Sequence, residues 1–416
     1  MSVADTDPCF ENQPALLSVD EAVAALLAQA RPVAETGRLD LAQATGRILA
    51  KDLQSHIDVP GFDNSAMDGY ALHSRDLAQA QAGGLEISQR ITAGTEGSTL
   101  QTGTVARIFT GAPLPAGADT VVMQEATRVE DNRVIIEKPV TAGANIRPRG
   151  NDIAAGHTIL ETGTLLHAAH LGLAASVGLA APVVYRKLKV AIFSTGDELV
   201  EPGQALGAGQ IYNSNRYQLN ALLLEAGCDV IDMGSIADDF EITRQTLLSA
   251  AEQADLVITS GGVSVGEEDH IKAALESVGT LDLWRVKMKP GKPLAFGRVG
   301  DVPFIGLPGN PVSVYVTFLL FARPFLRRSQ GRTTTTAPAF PVQAGFDYRA
   351  RQRREYVRVR IHTGPGNEVV AERYEKQGSD VLSSVVWADG LVEIPESAVI
   401  QAGDTVRFLP FAEWAQ

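Results

Sequence analysis

The sequence predicts a multidomain chain of α/β plus β class, built around a doubly wound α/β domain. Three observations carry this. Residues 186–330 alternate strand-like and helix-like segments; residues 55–146 break into short apolar runs separated by glycine and proline; and a strand-rich tail follows a threonine run at 333–336. Alternation of the first kind implies a largely parallel sheet with helices on both faces. A chain of 416 residues also exceeds what one core usually covers, so two to four domains are expected.

Taken in order, SVDEAVAALLAQA (18–30) reads as a helix. Ser18 and Glu21 stand at capping-box spacing, and Val19, Val23, Leu26 and Leu27 form an apolar stripe. Small apolar residues dominate 151–185, which suggests helix and close packing. KLKVAIFST then reads as a buried strand, NSNRYQLNALLLEAG as a helix, and CDVIDMGSI as a strand. FEITRQTLLSAAEQ and EDHIKAALESV are helical, with DLVITSGG as a strand between them. LDLWRVKM, PLAFGRV and VPFIGLPG are extended, and PVSVYVTFLLFARPFL closes the unit as a helix with Pro311 in its first turn. After the threonine linker, EYVRVRIHT, EVVAERYE, GLVEIPE and DTVRFLPF suggest a small all-β domain.

Composition limits the function classes. The net charge is −13, which argues against a general nucleic-acid binder, although RPRG (147–150), KMKPGK (287–292) and RQRR (351–354) are locally basic. Two cysteines, Cys9 and Cys228, exclude a disulfide framework or a thiolate zinc cluster and fit a reducing cytosol. The first residues are acidic and polar, and the apolar runs are too short or interrupted to span a bilayer, so a cytoplasmic protein with no membrane partner is expected.

In a doubly wound sheet, ligands bind beyond the C-terminal ends of the strands. Four loops are expected there: STGDE with Ser194, Thr195, Gly196 and Glu198; SGGVSVGEED with Ser260, Gly261, Gly262, Ser264, Gly266 and Asp269; KPGKP with Lys289 and Lys292; and LPGNP with Pro308, Gly309, Asn310 and Pro311. Glycines let backbone N–H groups approach an anion, helix N-termini favour negative charge, and two lysines add point charges. Carboxylates beside phosphates make sense where a divalent metal bridges them, and Glu198, Asp238 and Asp269 are the candidates for Mg²⁺. Glu267 and Glu268 read as first-turn helix acids, and His167 and His170 as surface or packing residues.

With PGFDNSAMDGYAL, IFTGAPLPAGADTVVMQE, NIRPRGND, FSTGDELVEPG, SGGVSVGEEDH, KMKPGKPLAFG, GLPGNPVS and GSDVLSSVVWADGLVEIP in this order, the chain resembles the MoeA family of molybdopterin molybdenumtransferases, relatives of the gephyrin E domain. The resemblance implies a homodimer of four-domain chains. A helical N-terminal domain would be discontinuous (1–54 and 147–185), interrupted by a β-rich inserted domain (55–146). A molybdopterin-binding domain of MogA/MoaB type (186–335) and a C-terminal β-barrel-like domain (336–416) would follow.

The implied reaction inserts molybdate into adenylylated molybdopterin with Mg²⁺-assisted release of AMP. The resemblance adds Asp63, Thr110 and Asp152 to the cleft, contributed across a dimer interface, and Arg358 and Ser379 to a molybdate pocket. Other cofactor-biosynthesis proteins would be its partners. Arg285, Asp380 and Asn151 depart from residues frequent in the family. Two other readings stay open: adenylylation of molybdopterin, as in MogA-type relatives, and a non-catalytic scaffold of gephyrin type.

Overall fold

Six strands form the central sheet of the computed structural model, which describes residues 16–262 and 270–412. They are β1 (Lys189–Thr195), β2 (Asp229–Ile236), β3 (Leu256–Ser260), β4 (Gly279–Arg285), β5 (Pro293–Val299) and β6 (Val302–Leu307), in the spatial order β2-β1-β3-β6-β5-β4. The first four of that order run parallel, while β5 is antiparallel to both β6 and β4. The expected parallel sheet therefore ends in an antiparallel hairpin. That geometry requires no crossover helix, because Gly300 and Asp301 turn β5 directly into β6. Since β4 opposes β5 and β5 opposes β6, β4 runs with the parallel strands, and the loops after β1, β3, β4 and β6 leave from one end of the sheet.

Alternate strand residues feed two cores, which is why these strands read as continuous apolar runs. On one face Val190, Ile192, Ile258, Ile305 and Leu307 pack with α1 (Val19–Gln29), α2 (Ser214–Glu225) and the helical run from Pro311 to Ser329. On the other, Ala191, Phe193, Val257 and Phe304 pack with α3 (Phe240–Gln253) and α4 (His270–Val278). The capping box at Ser18 and Glu21 is present, with Glu21 accepting from the Ser18 amide at 2.8 Å. Its helix buries Val19, Ala22 and Leu26 against the sheet unit. By packing, then, α1 joins the sheet unit rather than the segment that follows it.

That following segment has its own small core of Ala44, Leu49, Leu53, Leu160, Leu166, Ala174 and Val184. Thr36–Arg38 pairs with Val183–Tyr185, and Leu53–Gln54 with Thr158–Leu160, so residues on either side of 55–146 are stitched together. Between them lies a second six-stranded sheet, ordered Thr120–Met123, Gly69–Leu72, Thr104–Ile108, Leu85–Ile91, Arg133–Ile136 and Thr127–Glu130, with cores of its own on both faces.

The tail closes a five-stranded barrel from β7 (Phe340–Ala344), β8 (Arg354–Thr363), β9 (Val369–Arg373), β10 (Gly390–Ile394) and β11 (Thr405–Pro410). Closure comes from β8, which pairs with both β9 and β10, while β7 joins β9 to β11. Closure removes the exposed strand edges of an open sheet. Outside the ring, Met288–Lys289 adds to β8 in parallel, which ties the turn after β4 to the barrel.

Candidate functional site

The loop ends of the central sheet meet the barrel at a cavity of about 560 Å³. Lys289 and Lys292 line it from the turn after β4, Pro308 and Asn310 from the loop after β6, and Gln377 to Asp380 from the barrel unit. Two contacts fix the last junction: Asn310 Nδ2 donates to the Ser379 hydroxyl at 2.9 Å, and the Val312 amide donates to the Ser379 carbonyl at 3.0 Å. Asn310 therefore spends its side chain on Ser379 rather than on the helix behind it.

Charge in the cavity is positive and held in place. Lys289 Nζ lies 3.0 Å from Glu355, whose carboxylate is 4% exposed. Tyr348 donates to the same carboxylate at 2.6 Å and the Arg351 amide at 3.2 Å. Burial pushes the Glu355 carboxyl up, but Tyr348, the Arg351 amide and Lys289 together hold it below the ordinary glutamate range. Lys292 titrates below the usual lysine range because of its burial and the neighbouring Arg285 and Arg353 guanidiniums. An oxyanion entering here would meet a charge surplus that already exists, with no cation to recruit.

Beside the cavity, the ends of β1 and β3 lie in register, with the buried Ser194 and Ser260 hydroxyls 3.3 Å apart. Gly262 takes a positive φ of +62°, and a β-carbon there would run into Ile271 and stand 3.0 Å from the Thr195 hydroxyl. Only glycine lets the chain turn this closely over the strand ends. Gly261 donates to the Leu307 carbonyl at 3.1 Å, and Asn215 donates to the Gly309 carbonyl at 2.7 Å, so the loops after β1, β3 and β6 form one floor. Gln218 completes it by donating to the Pro311 carbonyl at 3.0 Å.

The acids divide. Glu198 and Asp238 are exposed, and the Asp238 amide donates to Asp197 at 3.4 Å, which joins the loops after β1 and β2. Asp239 caps α3. Asp269, Ser264 and Gly266 lie outside the described residues. Among the described residues, no three His, Cys, Asp or Glu side chains gather closely enough to hold a metal ion. Carboxylates on adjacent loops are nonetheless the donors that Mg²⁺ uses, commonly one or two of them with substrate phosphates.

Asp63, Thr110 and Asp152 are exposed in and beside the inserted sheet. Asp63 accepts from the Arg149 amide at 2.7 Å, Thr110 donates from its hydroxyl and amide to Asp68 at 2.7 and 2.8 Å, and the Asp152 amide donates to Val59. These bonds stay within that region, and none reaches the loops of the central sheet. Arg358 is 1% exposed and sits behind the Ser379 loop, donating to the Gly378 carbonyl at 2.9 Å and to the Ser384 hydroxyl at 3.1 Å. It shapes the cavity wall from inside. His170 accepts from the His167 amide at the start of a short helix, a capping role.

Sequence reasoning missed Glu355, Gln377 and Asp68, and met Arg353 only as part of the basic run RQRR. An acid inside the basic run RQRREYVRV was the available signal for Glu355, and the second acid of DNSAMDG for Asp68. Gln377 accepts from the Arg358 amide at 3.0 Å, a contact across 19 residues that no local pattern encodes.

Comparison with known proteins agrees along the chain. Residues 17–178 match the MoeA N-terminal region (domain I and II), 191–328 a probable molybdopterin binding domain, and 341–411 the MoeA C-terminal region (domain IV). A molybdopterin molybdenumtransferase of Haemophilus influenzae is 39% identical, covering 95% of this chain and 99% of that protein. One from a Nostoc species is 38% identical, over 89% of this chain and 86% of its own length. Among solved structures, a molybdopterin biosynthesis MoeA protein of Pyrococcus horikoshii superposes with a TM-score of 0.79 at 31% identity, covering 95% of this chain and 99% of the other.

Proposed function

The chain belongs to the MoeA family of molybdopterin molybdenumtransferases, and from that premise we propose that it inserts molybdate into adenylylated molybdopterin at the 560 Å³ cavity, releasing AMP. It is a transferase of molybdenum cofactor biosynthesis. The observation that carries the finer reading is the convergence of Lys289, Lys292, Pro308, Asn310 and Ser379 on one cationic space beside the Ser194–Ser260 floor.

Two anions must meet for this reaction. The pterin nucleotide would lay its pyrophosphate along the floor, where Gly261 and Gly262 allow close backbone approach. Molybdate would take the cationic space at Lys289 and Lys292, with Ser379 positioned by Asn310 and by the buried Arg358 behind it. Both substrates are held, so the dithiolene would meet molybdenum at high effective concentration. Glu198, Asp238 and Asp269 would hold a Mg²⁺, which would neutralise charge on the anhydride when bound. The protein need supply no nucleophile: water would add to the anhydride phosphorus and split it into AMP and the pterin phosphate, while the two dithiolene sulfurs would displace an oxo group of molybdate, which would leave as water with the two thiol protons.

Asp63, Thr110 and Asp152 make their hydrogen bonds far along the chain from this floor. Their family role would be met from a second copy, and a homodimer with the cleft shared between chains is the assembly we propose.

The test is AMP release. Purified protein given adenylylated molybdopterin, Mg²⁺ and molybdate should release AMP in a molybdate-dependent way, and Lys292→Ala should slow release by about 10- to 100-fold. No AMP release there, with release of pyrophosphate when the protein is instead given molybdopterin, ATP and Mg²⁺, would establish the adenylyltransferase reading.

A further inference from the structure

A second cavity, of about 310 Å³, lies away from that site, where residues 46–48 and 185–187 meet α2 and the α5 helix (Arg323–Ser329). Arg47, Arg186, Lys187, Arg323, Arg327 and Arg332 line it against one carboxylate, Glu225, among the described residues. Part of that charge is already matched, and Arg327 and Arg332 have interaction partners of their own. Arg186 is held by Asp255 at 2.6 and 2.7 Å and by Glu35, and Lys187 stands 3.5 Å from Asp229. Arg47 instead donates to the neutral Tyr185 carbonyl at 2.7 Å, so its charge is not cancelled there.

Arg323 is the unusual member. It is 2% exposed, and its Nε has no hydrogen-bond partner among the described residues. Burial first, and then repulsion from Arg327, pushes its pKa down to about 10. Arg332 is likewise lowered to about 10 by burial and by Arg327. Grouping guanidiniums in a half-enclosed space costs free energy that a counter-anion would relieve, and an unpaired buried donor costs more. A planar guanidinium matches the oxygens of a phosphate better than it matches a spherical halide.

We propose that this cavity is a binding site for a phosphate-class oxyanion, which bridges the segment bearing Arg47 to the sheet unit bearing Arg323. The occupant is a free inorganic oxyanion or the phosphate end of a small ester, since about 310 Å³ admits either with water. This site is independent of the transferase reading, and neither stands on the other.

The test separates the two cavities. Inorganic phosphate is titrated calorimetrically into the full-length protein at constant ionic strength, with chloride as reference and pyrophosphate and AMP as further arms. In a Lys289→Ala/Lys292→Ala background, which removes the cations of the transferase site, phosphate binding and a phosphate-dependent rise in Tm should persist. Arg47→Gln and Arg323→Gln should each weaken that binding at least tenfold. Arg47 is only half-buried and serves as the variant certain to test binding if Arg323→Gln fails to fold. Tighter binding of pyrophosphate or AMP that Arg47→Gln weakens supports the site and says which phosphate compound fills it; tighter binding that Arg47→Gln leaves unchanged belongs to the floor of the transferase site and counts against the proposal. Binding that vanishes with the two lysines yet survives Arg47→Gln, or that chloride reproduces, overturns the proposal.

Discussion

Lys289 illustrates how a single contact sets a residue's role. Its ammonium lies half in solvent, yet its partner Glu355 is buried and fixed by Tyr348 and the Arg351 amide. The lysine is thereby aimed, while Lys292 is left as the cation whose proton is loosened by burial and by Arg285 and Arg353. Replacing Glu355 by Gln keeps the shape but removes the charge from its hydrogen bonds, and should cost about 2 kcal/mol of stability. The Glu355 carboxyl is depressed in the folded state. Its contribution is therefore complete above the unfolded glutamate pKa of about 4.3 and is lost as pH falls through the folded value. Urea melts of both proteins from about pH 7 down to about pH 3 should converge on acidification; a gap that stays constant would show that the charge was irrelevant.

At the scale of elements, the turn after β4 and the helical run from Pro311 depend on each other. Gly291 has a positive φ of +95°, and a β-carbon there would stand 2.5 Å from Thr317 Cγ2. Thr317 is fully buried and donates to the Ser313 carbonyl at 2.6 Å, so it has no room to yield. Gly291→Ala should destabilise by about 1–3 kcal/mol and displace both flanking lysines. We expect AMP release to fall well beyond the loss of folded protein, measured by comparing the assay with the near-ultraviolet circular dichroism. The antiparallel β4–β5–β6 meander belongs to this scale as well. Its strand pattern is legible in LDLWRVKM, PLAFGRV and VPFIGLPG, but the direction of pairing is not, because apolar alternation is the same in both directions.

For the whole molecule, the distribution of cores decides what unfolds together. α1, the central sheet, the helical run and the barrel residues Tyr356, Val385, Leu391 and Leu409 share one continuous cluster. The inserted sheet buries Leu72, Val122 and Ile108 in clusters that contain no residue of the central sheet. Calorimetry should therefore resolve at least two transitions. Leu72→Ala, at a fully buried position, should lower one of them by about 2–5 kcal/mol and leave the other in place. A single transition shifted as a unit would show instead that the inserted sheet is coupled to the rest.

Local order in the sequence determined the element types, the four loops at the sheet's C-terminal end and the family, because turn chemistry, capping boxes and apolar periodicity act within a few residues. GSDVLSSVV and LPGNP could be read separately, yet nothing local joins Ser379 to Asn310 across 69 residues. Packing decided that α1 leaves the segment it precedes and covers the sheet, since its apolar stripe needs a matching face and the sequence does not say which one. Packing also placed Glu355 behind Lys289 and gathered Arg47 with Arg323, residues 276 positions apart by number. Those juxtapositions are set by the tertiary fold alone, because charge acts through space while pattern is read along the chain.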